Sequence, residues 1–330
     1  MNKKRGFQIL AGLVLLLIVG VGYIWFSRPA DVDFEASRGQ IPNVNFSRFA
    51  ELDGVRVHYQ ERGSGTPLVL IHGYGASSFT WKDVFAVLSN RYRVIALDLK
   101  GFGFTSKPEG DYTRRAQGEL VIRLLDHLKI DKAILCGNSM GGEVSLNAAV
   151  HHPERVAGLI LVDSAGVTVG GTGSLSPGYM RAPVIGPLLA AVALTSNSMV
   201  RSGLQKSFHD QAMVTDDRIA AYYRALKTAG GQRGAFLARV QAGNDPVESK
   251  ISGIKAPALI LWGAEDRLIP LEAGRKMQTL IPGARLVVFD QCGHIPQEEM
   301  PERFVREVMA FIGAQEQAAA PAPAKAGGKE

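Results

Sequence analysis

A serine flanked by glycines is the first feature of this sequence that could do chemistry. The segment Gly137 to Gly142 (GNSMGG) follows an apolar run at residues 133–136 and precedes a stretch compatible with a helix. A serine on so sharp a strand-to-helix turn needs small neighbours, because its backbone is strained and a flanking Cβ would clash. The turn presents the hydroxyl above the sheet and leaves the Met140 amide at a helix N-terminus, where it can stabilise an oxyanion. We therefore predict that Ser139 is a nucleophile.

A serine hydroxyl is a poor nucleophile until a base takes its proton. In proteins with a turn of this kind, the serine is followed along the chain by an acid and then by a histidine. His294 is the one histidine that lies C-terminal to every plausible acid, and it follows the last predicted strand. We predict that Asp266, in the loop after the preceding strand, orients the His294 imidazole and stabilises its charged form. Asp163, which also ends a predicted strand, is the alternative acid.

The loop after an earlier predicted strand supplies a second expected oxyanion donor. The residues His72-Gly73-Tyr74-Gly75 directly follow the apolar run at residues 68–71. We assign the donor to the backbone amide of Tyr74, with the glycines allowing the chain to approach a substrate closely. His72 is then expected to have a structural role and to hydrogen-bond nearby backbone.

Short apolar runs that alternate with helical periods predict the elements that position these groups. The runs cover residues 68–71, 94–97, 133–136, 159–162, 258–262 and 286–289. Such runs are typical of strands buried on both faces, so we predict an α/β fold with a mostly parallel central sheet. An Asp53-Gly54 turn predicts an N-terminal hairpin. The alternation lapses over residues 166–245, where we predict an inserted helical cap between core segments 46–165 and 246–313.

The two ends of the chain differ from this folded part. Basic residues at positions 3–5 precede twenty uncharged residues, 7–26, which as a helix would measure about 30 Å, the thickness of a bilayer core. We predict that residues 1–26 form a transmembrane anchor, with the N-terminus cytoplasmic and the domain exported to the periplasmic or extracellular side. A signal peptide cleaved after Gly22 is the alternative. Residues 27–45 are interpreted as a linker and residues 314–330 as a disordered tail.

The composition excludes several classes of protein. With 46% hydrophobic and 21% charged residues, the chain is not disordered as a whole. The net charge of +6 comes from scattered basic residues, so we expect no nucleic-acid partner. Only two cysteines occur, Cys136 and Cys292, which excludes a disulfide scaffold and a cysteine-based zinc site. We expect these two to be unpaired, packed thiols, and the sequence implies no metal and no organic cofactor.

Over about residues 46–313 the chain resembles the α/β-hydrolase superfamily. The motifs that carry the resemblance are His72-Gly73-Tyr74-Gly75, residues 98–103 (DLKGFG), the Ser139 turn, the Asp266 loop and Cys292-Gly293-His294. Within the superfamily, the turn resembles both exported bacterial lipases and esterases and the hydrolases that cleave carbon–carbon bonds in aromatic-ring catabolism. Epoxide hydrolases and haloalkane dehalogenases are disfavoured, because they carry an aspartate where this chain has Ser139.

The resemblance implies a serine hydrolase that acts on carboxylic esters with an apolar acyl group. Carbon–carbon hydrolases usually carry a Ser-Gly-Pro-Gly type loop and a tryptophan after the catalytic histidine, whereas this chain has residues 74–77 (YGAS) and Ile295. The expected partners are a small-molecule or lipid ester and, through residues 1–26, a membrane. Carbon–carbon hydrolysis or acyl transfer on the same triad is the first alternative, and a non-enzymatic binding module is the second. The apolar segment 182–195 is interpreted either as an acyl-chain pocket or as the cap's own core.

Overall fold

Eight strands form one sheet in the computed structural model, which describes residues 3–170 and 196–319. They are β1 (Ser47–Leu52), β2 (Val55–Arg62), β3 (Pro67–Ile71), β4 (Arg93–Leu97), β5 (Ala133–Asn138), β6 (Val156–Val162), β7 (Ala258–Gly263) and β8 (Arg285–Phe289). Their order across the sheet is β1-β2-β4-β3-β5-β6-β7-β8. The strands β3 to β8 pair in parallel, and the β1–β2 hairpin joins them by antiparallel pairing of β2 with β4. The predicted mostly parallel sheet with an N-terminal hairpin is confirmed.

Helices cover both faces of this sheet. In the described residues they are α1 (Lys3–Ser27), α2 (Phe34–Ser37), α3 (Lys82–Leu88), α4 (Arg114–His127), α5 (Met140–His151), α6 (Asn197–Ser207), α7 (Asp216–Leu226), α8 (Ala229–Val240), α9 (Leu271–Leu280), α10 (Pro296–Glu299) and α11 (Pro301–Ala319). The helices α4, α5 and α9 bury their apolar residues in one core cluster, and α3 and α11 bury theirs in a second. The short apolar strands are therefore buried on both sides, as their composition predicts.

In the described part of the region predicted as a cap, three helices, α6, α7 and α8, lie between β6 and β7. Each begins at a hydroxyl side chain that accepts a hydrogen bond from a first-turn amide: Ser196 for α6, Thr215 for α7 and Thr228 for α8. The apolar segment at residues 182–195 lies outside the described residues. The boundaries predicted for the cap and for the two core segments therefore stay predictions.

The segment predicted as an anchor is helical, since α1 spans Lys3–Ser27. Within the part of the chain that the structure describes, no helix has a stretch that is both long and apolar enough to cross a membrane. The predicted transmembrane helix is therefore not supported by the structure.

The segment interpreted as a linker, residues 27–45, is packed against both the core and the cap. The carbonyl oxygens of Pro29 and Ala30 accept hydrogen bonds of 2.8 and 2.9 Å from the first two amides of α8. Asp31 forms a 2.7 Å ion pair with Lys107, whose side chain is 1% exposed. The composition of residues 27–45 suggested no structure, because their partners are distant in the sequence. Residues 27–45 therefore form a packed connection between α1 and β1, and the boundaries of the linker stay a prediction.

The predicted disordered tail starts too early at residue 314. The helix α11 continues to Ala319, and Glu316 accepts a 2.7 Å hydrogen bond from the Thr66 hydroxyl and pairs with Arg91 at 3.2 Å. Alanine is the best helix former, so an Ala-rich sequence directly after an amphipathic helix extends that helix. The prediction is corrected for residues 314–319 only.

Replacing Asp31 by asparagine is expected to destabilise the fold, because it removes the ion-pair partner described for buried Lys107. The ammonium group keeps two backbone acceptors, Gly103 O at 3.0 Å and Thr105 O at 2.9 Å. We therefore expect a loss of only about 1–2 kcal/mol in the free energy of unfolding. Thermal melting of the full chain measures this loss as a lower Tm.

The matched control is Asp53→Asn, which breaks an exposed ion pair with Arg123. Exposed pairs contribute about 0–1 kcal/mol, so this variant is expected to melt close to the unchanged protein. Equal melting of the Asp31→Asn chain and the unchanged chain would contradict a stabilising role for the packed segment.

Candidate active site

The backbone of Ser139 is strained, with φ +55° and ψ −116° at the junction of β5 and α5. Two flanking positions have no room for a side chain. A Cβ on Gly137 would lie 2.2 Å from the Gly141 carbonyl oxygen, and one on Gly141 would lie 2.1 Å from that of Ile71. These distances are far below van der Waals contact, so only glycine allows the turn to close. The sequence prediction of a tight, strained turn at Ser139 is therefore correct in its geometry.

The structure brings Asp266 and His294 together. Asp266 Oδ2 lies 2.6 Å from His294 Nδ1, and both side chains are buried. The other oxygen, Asp266 Oδ1, accepts backbone amides from Leu268 at 2.7 Å and Ile269 at 3.1 Å, which fix the carboxylate in its loop. An acid so placed holds the imidazole with Nε2 available as a base.

The backbone around His294 is tied to the nucleophile turn. The side-chain amide of Asn138 donates a 3.0 Å hydrogen bond to the His294 carbonyl oxygen and a 3.2 Å bond to that of Val162. No direct hydrogen bond joins the Ser139 hydroxyl and the His294 ring among the described residues. Such contacts often tighten only when substrate is bound. The role of Asn138 has no signal in the sequence, because its two partners are distant from it along the chain.

The loop after β3 packs directly against Ser139. A Cβ on Gly73 would lie 3.2 Å from the Ser139 Cβ and 3.1 Å from Asn138 Oδ1. Among the described residues, neither the Tyr74 amide nor the Met140 amide donates a hydrogen bond, so both remain free for an oxyanion. The catalytic roles assigned to these amides stay predictions.

His72 is held as a neutral structural residue, as its position in the loop suggested. Its Nε2 accepts a 3.0 Å hydrogen bond from the Leu99 amide, so Nδ1 carries the proton and donates to the Gly73 carbonyl oxygen at 2.7 Å. Burial lowers the pKa of His72, which agrees with the neutral form. The ring therefore links the oxyanion loop to the turn that follows β4.

The Tyr74 side chain connects the same loop to the cap. Its hydroxyl donates a 3.0 Å hydrogen bond to the Ala235 carbonyl oxygen in α8. Burial raises the pKa of Tyr74 to about 12, so the phenol stays protonated and keeps this bond.

Asp163, the alternative acid, lies beside the Asp266–His294 pair. It is Asp266, and not Asp163, that contacts His294 Nδ1. One potential ligand atom from each of Asp163, Asp266 and His294 lies within 4.8 Å of the other two. In the described ranges this is the one group of three side chains close enough to hold a metal ion. Because His294 Nδ1 and Asp266 Oδ2 already share the 2.6 Å hydrogen bond, we interpret the group as an acid–base cluster.

Two consecutive glutamates, Glu298 and Glu299, connect the histidine loop to the cap. No motif in the sequence marks them as functional. Glu299 accepts 2.7 Å hydrogen bonds from the amides of Gly293 and of Asp210 in the cap. Glu298 is buried, accepts a hydrogen bond from the Tyr222 hydroxyl and pairs with Arg218 at 3.1 Å, both on α7. The His294 amide also donates to the Ser207 carbonyl oxygen of α6 at 2.7 Å.

Both cysteines are free and buried, as the sequence analysis expected. Burial raises the pKa of Cys136 and of Cys292, so neither is a reactive thiolate at neutral pH.

The sequence of this chain matches a known family. The family profile described as "alpha/beta hydrolase fold" matches residues 66–301, which is more than half of the chain. The chain therefore belongs to the α/β-hydrolase family, and it is a hydrolase of that fold.

Three similar proteins illustrate the range of this family. A 2-hydroxymuconate semialdehyde hydrolase of Pseudomonas putida is 36% identical over 270 residues, which cover 78% of this chain and 91% of the relative. A meta-cleavage product hydrolase from Pseudomonas fluorescens IP01 has a solved structure that superposes with a TM-score of 0.70 at 30% identity, covering 82% of this chain and 99% of that one. The structure of a membrane phospholipase A, a bacterial virulence factor, superposes with a TM-score of 0.72 at 28% identity, covering 94% of this chain and 99% of that one.

Replacing Gly73 by alanine is expected to slow catalysis about 10-fold or more without unfolding the protein. The added Cβ would push the oxyanion loop away from Ser139 by a few tenths of an ångström, and catalysis is sensitive to displacements on this scale. The measurement is kcat/KM on any turned-over substrate, together with the Tm. Gly253→Ala is the control, because a Cβ there meets nothing within 4 Å. Equal rates for the two variants would argue against the predicted oxyanion loop.

Proposed function

We propose that this protein is a serine hydrolase that cleaves carboxylic esters with an apolar acyl group. The observation that carries this proposal is the site itself, a strained Ser139 on a turn hydrogen-bonded to the loop of the Asp266–His294 pair. A membrane phospholipase A, whose name denotes an enzyme of ester bonds, is among the structural matches and covers 94% of this chain, which supports this choice, whereas the named curated relatives favour the carbon–carbon alternative. The 2-hydroxymuconate semialdehyde hydrolase and the meta-cleavage product hydrolase, which represent the carbon–carbon alternative, cover 78% and 82% of this chain.

In the proposed reaction, His294 takes the proton of Ser139 as the hydroxyl oxygen attacks the ester carbonyl carbon. Asp266 keeps the imidazole in the required tautomer and stabilises its cation. The Tyr74 and Met140 amides donate to the oxyanion of the tetrahedral intermediate. The protonated His294 then gives its proton to the leaving alcohol, and water repeats the sequence on the acyl-enzyme.

A carbon–carbon bond hydrolase on the same residues is the second candidate. The curated relatives with named substrates favour it, since several of them are hydrolases of meta-cleavage products at 31–36% identity. Two features of this chain differ from the pattern usual in carbon–carbon hydrolases and so favour the ester. The residue after His294 is Ile295, which packs in the apolar cluster of the cap, and the oxyanion loop reads Tyr74-Gly75-Ala76-Ser77.

Replacing Ser139 by alanine is expected to reduce ester hydrolysis by at least about 1,000-fold, because the nucleophile is lost while the oxyanion donors remain. The assay uses p-nitrophenyl esters with acyl chains of two to sixteen carbons, and a fluorophosphonate labels the serine independently of substrate. Serine-dependent turnover with a chain-length optimum supports the ester proposal.

A vinylogous diketone of the meta-cleavage type, tested in parallel, separates the two candidates. Turnover of the diketone without turnover of any ester would replace the ester proposal by the carbon–carbon one. Labelled Ser139 with neither activity would point to another acyl acceptor. If the fluorophosphonate does not label Ser139, the result favours the second alternative, a non-enzymatic binding module on a hydrolase fold.

We propose further that residues 1–26 attach an exported domain to a membrane. The basic N-terminus and the uncharged run that follows it support this proposal, as do the exposed apolar side chains of α1, such as Phe7, Leu16 and Phe26. The match to the membrane phospholipase A leaves about 6% of this chain uncovered, which is fewer residues than 1–26 contain, so it reaches into this segment.

Full-length chain expressed in a Gram-negative host is expected in the membrane fraction after an alkaline wash, because the apolar run favours the hydrocarbon core. A chain that begins at residue 28 with its own export signal is the control and is expected to wash off. An N-terminus of the mature protein at Tyr23 would show cleavage after Gly22 and contradict the anchor. A wash-resistant control would place the membrane contact elsewhere.

A further inference from the structure

Asp163 is a buried carboxyl group that the proposed reaction leaves without a role. It directly follows β6, has no exposed surface, and adopts a left-handed backbone with φ +42°. Its amide donates to the Leu261 carbonyl oxygen at 2.9 Å, and its Oδ1 accepts the Gly263 amide at 2.9 Å. Both contacts are with β7, the strand that leads into the Asp266 loop. The side chain is therefore fixed in position relative to Asp266.

The surroundings of Asp163 contain negative groups and one imidazole. Asp266 and His294 lie within 4.8 Å of it. Glu299 and the Cys292 thiol also interact electrostatically with Asp163, and Asp163 forms no ion pair with any lysine or arginine of the described chain. Its second oxygen, Oδ2, is buried and accepts no hydrogen bond from a described residue. A charge on that buried oxygen would have no donor from the described residues to stabilise it.

Two adjacent buried carboxyl groups with one imidazole partner do not both ionise. The Asp266 carboxylate is stabilised by three donors, namely two amides and His294. Asp163 has a single backbone donor on Oδ1. Burial, and next the charge of Asp266, raises the pKa of Asp163 well above its ordinary range. The proton therefore belongs to Asp163 and the charge to Asp266.

Asp266 has an acceptor site to spare for the proton of Asp163. A carboxylate offers about two acceptor sites on each oxygen. Asp266 Oδ1 already accepts two amides, whereas Oδ2 accepts only the His294 proton. A hydrogen bond from Asp163 Oδ2 to Asp266 Oδ2 would fill the remaining site and satisfy the one unpartnered oxygen of Asp163.

We propose that Asp163 is a positioning residue, a neutral carboxylic acid that donates a hydrogen bond to Asp266 and so holds that carboxylate against His294. The proposal rests on the proposed function, in which His294 is the base. Because the donated bond draws charge from Asp266 Oδ2, it weakens the hold of this oxygen on the imidazole proton. The enzyme is then expected to stay active further into the acid range than it would with Asp266 alone.

The test compares Asp163→Asn with Asp163→Leu in the full chain. Asparagine keeps an acceptor for the Gly263 amide and a neutral donor for Asp266, whereas leucine has a similar shape and no donor. The readout is the rate of fluorophosphonate labelling of Ser139 against pH, which needs no known substrate. Asp290→Asn is the control, because it removes a carboxylate from the same loop as His294 at an exposed position.

The acid limb is the part of the pH profile in which the labelling rate falls as the pH is lowered. We expect the acid limb of Asp163→Asn to match that of the unchanged protein, with labelling rates within about 3-fold. In Asp163→Leu the limb is expected to move to higher pH by roughly half a unit or more, because Asp266 then holds the imidazole proton more strongly. A protonated-carboxyl infrared band at neutral pH that Asp163→Asn removes would support the assignment directly. If Asp163→Leu fails to fold, the pH profile of Asp163→Asn and the infrared band test whether Asp163 is a neutral donor.

Other outcomes overturn the proposal. A limb that moves to lower pH in Asp163→Asn means that Asp163 is ionised, since removal of a negative charge eases proton loss from His294. A 100-fold loss of labelling in Asp163→Asn means that Asp163 is itself the triad acid. An unchanged limb in a folded Asp163→Leu means that the residue is only structural. Absence of labelling in the unchanged protein overturns the proposed function as well, whereas labelling without ester turnover overturns the ester reading alone.

Discussion

The geometry of the site depends on the absence of side chains at the turn that carries Ser139. A Cβ on Gly137 or Gly141 would come within about 2 Å of a backbone carbonyl oxygen, so no other residue permits β5 to pass so abruptly into α5. The strain at Ser139, with φ +55°, persists because the sheet and the helix on either side are buried and hydrogen-bonded. The strained turn presents the hydroxyl at the carboxyl edge of the sheet, beside the loops that follow β3, β6, β7 and β8.

These loops are held to one another mainly by hydrogen bonds to backbone atoms. Asn138 binds the His294 carbonyl oxygen, Asp163 binds the Gly263 amide, and His72 joins the oxyanion loop to Leu99. Backbone atoms move less than side chains, so such bonds fix the positions of Ser139, Asp266 and His294 relative to one another. This preorganisation is what makes electrostatic stabilisation of a transition state effective.

The cap and the N-terminal segment are part of the same framework. Glu298 and Glu299 connect the helix after His294 to the cap helices, and Pro29 and Ala30 supply acceptors to the first turn of α8. A continuous chain of contacts therefore runs from the end of α1, through the cap, to the histidine loop. A displacement of the cap would be transmitted to His294 through its bond to Ser207.

The sequence by itself determined the fold class, the strained turn and the edge at which the site lies, because each depends on local patterns. Apolar runs predict buried strands, and glycines around a serine predict a turn that needs them. Only the tertiary structure decided that Asp266 and not Asp163 contacts His294 Nδ1, since both follow strands and the choice depends on the register of β6 and β7. The packed segment at residues 27–45 and the Glu298 contacts were likewise beyond prediction, because their partners are brought close only by folding.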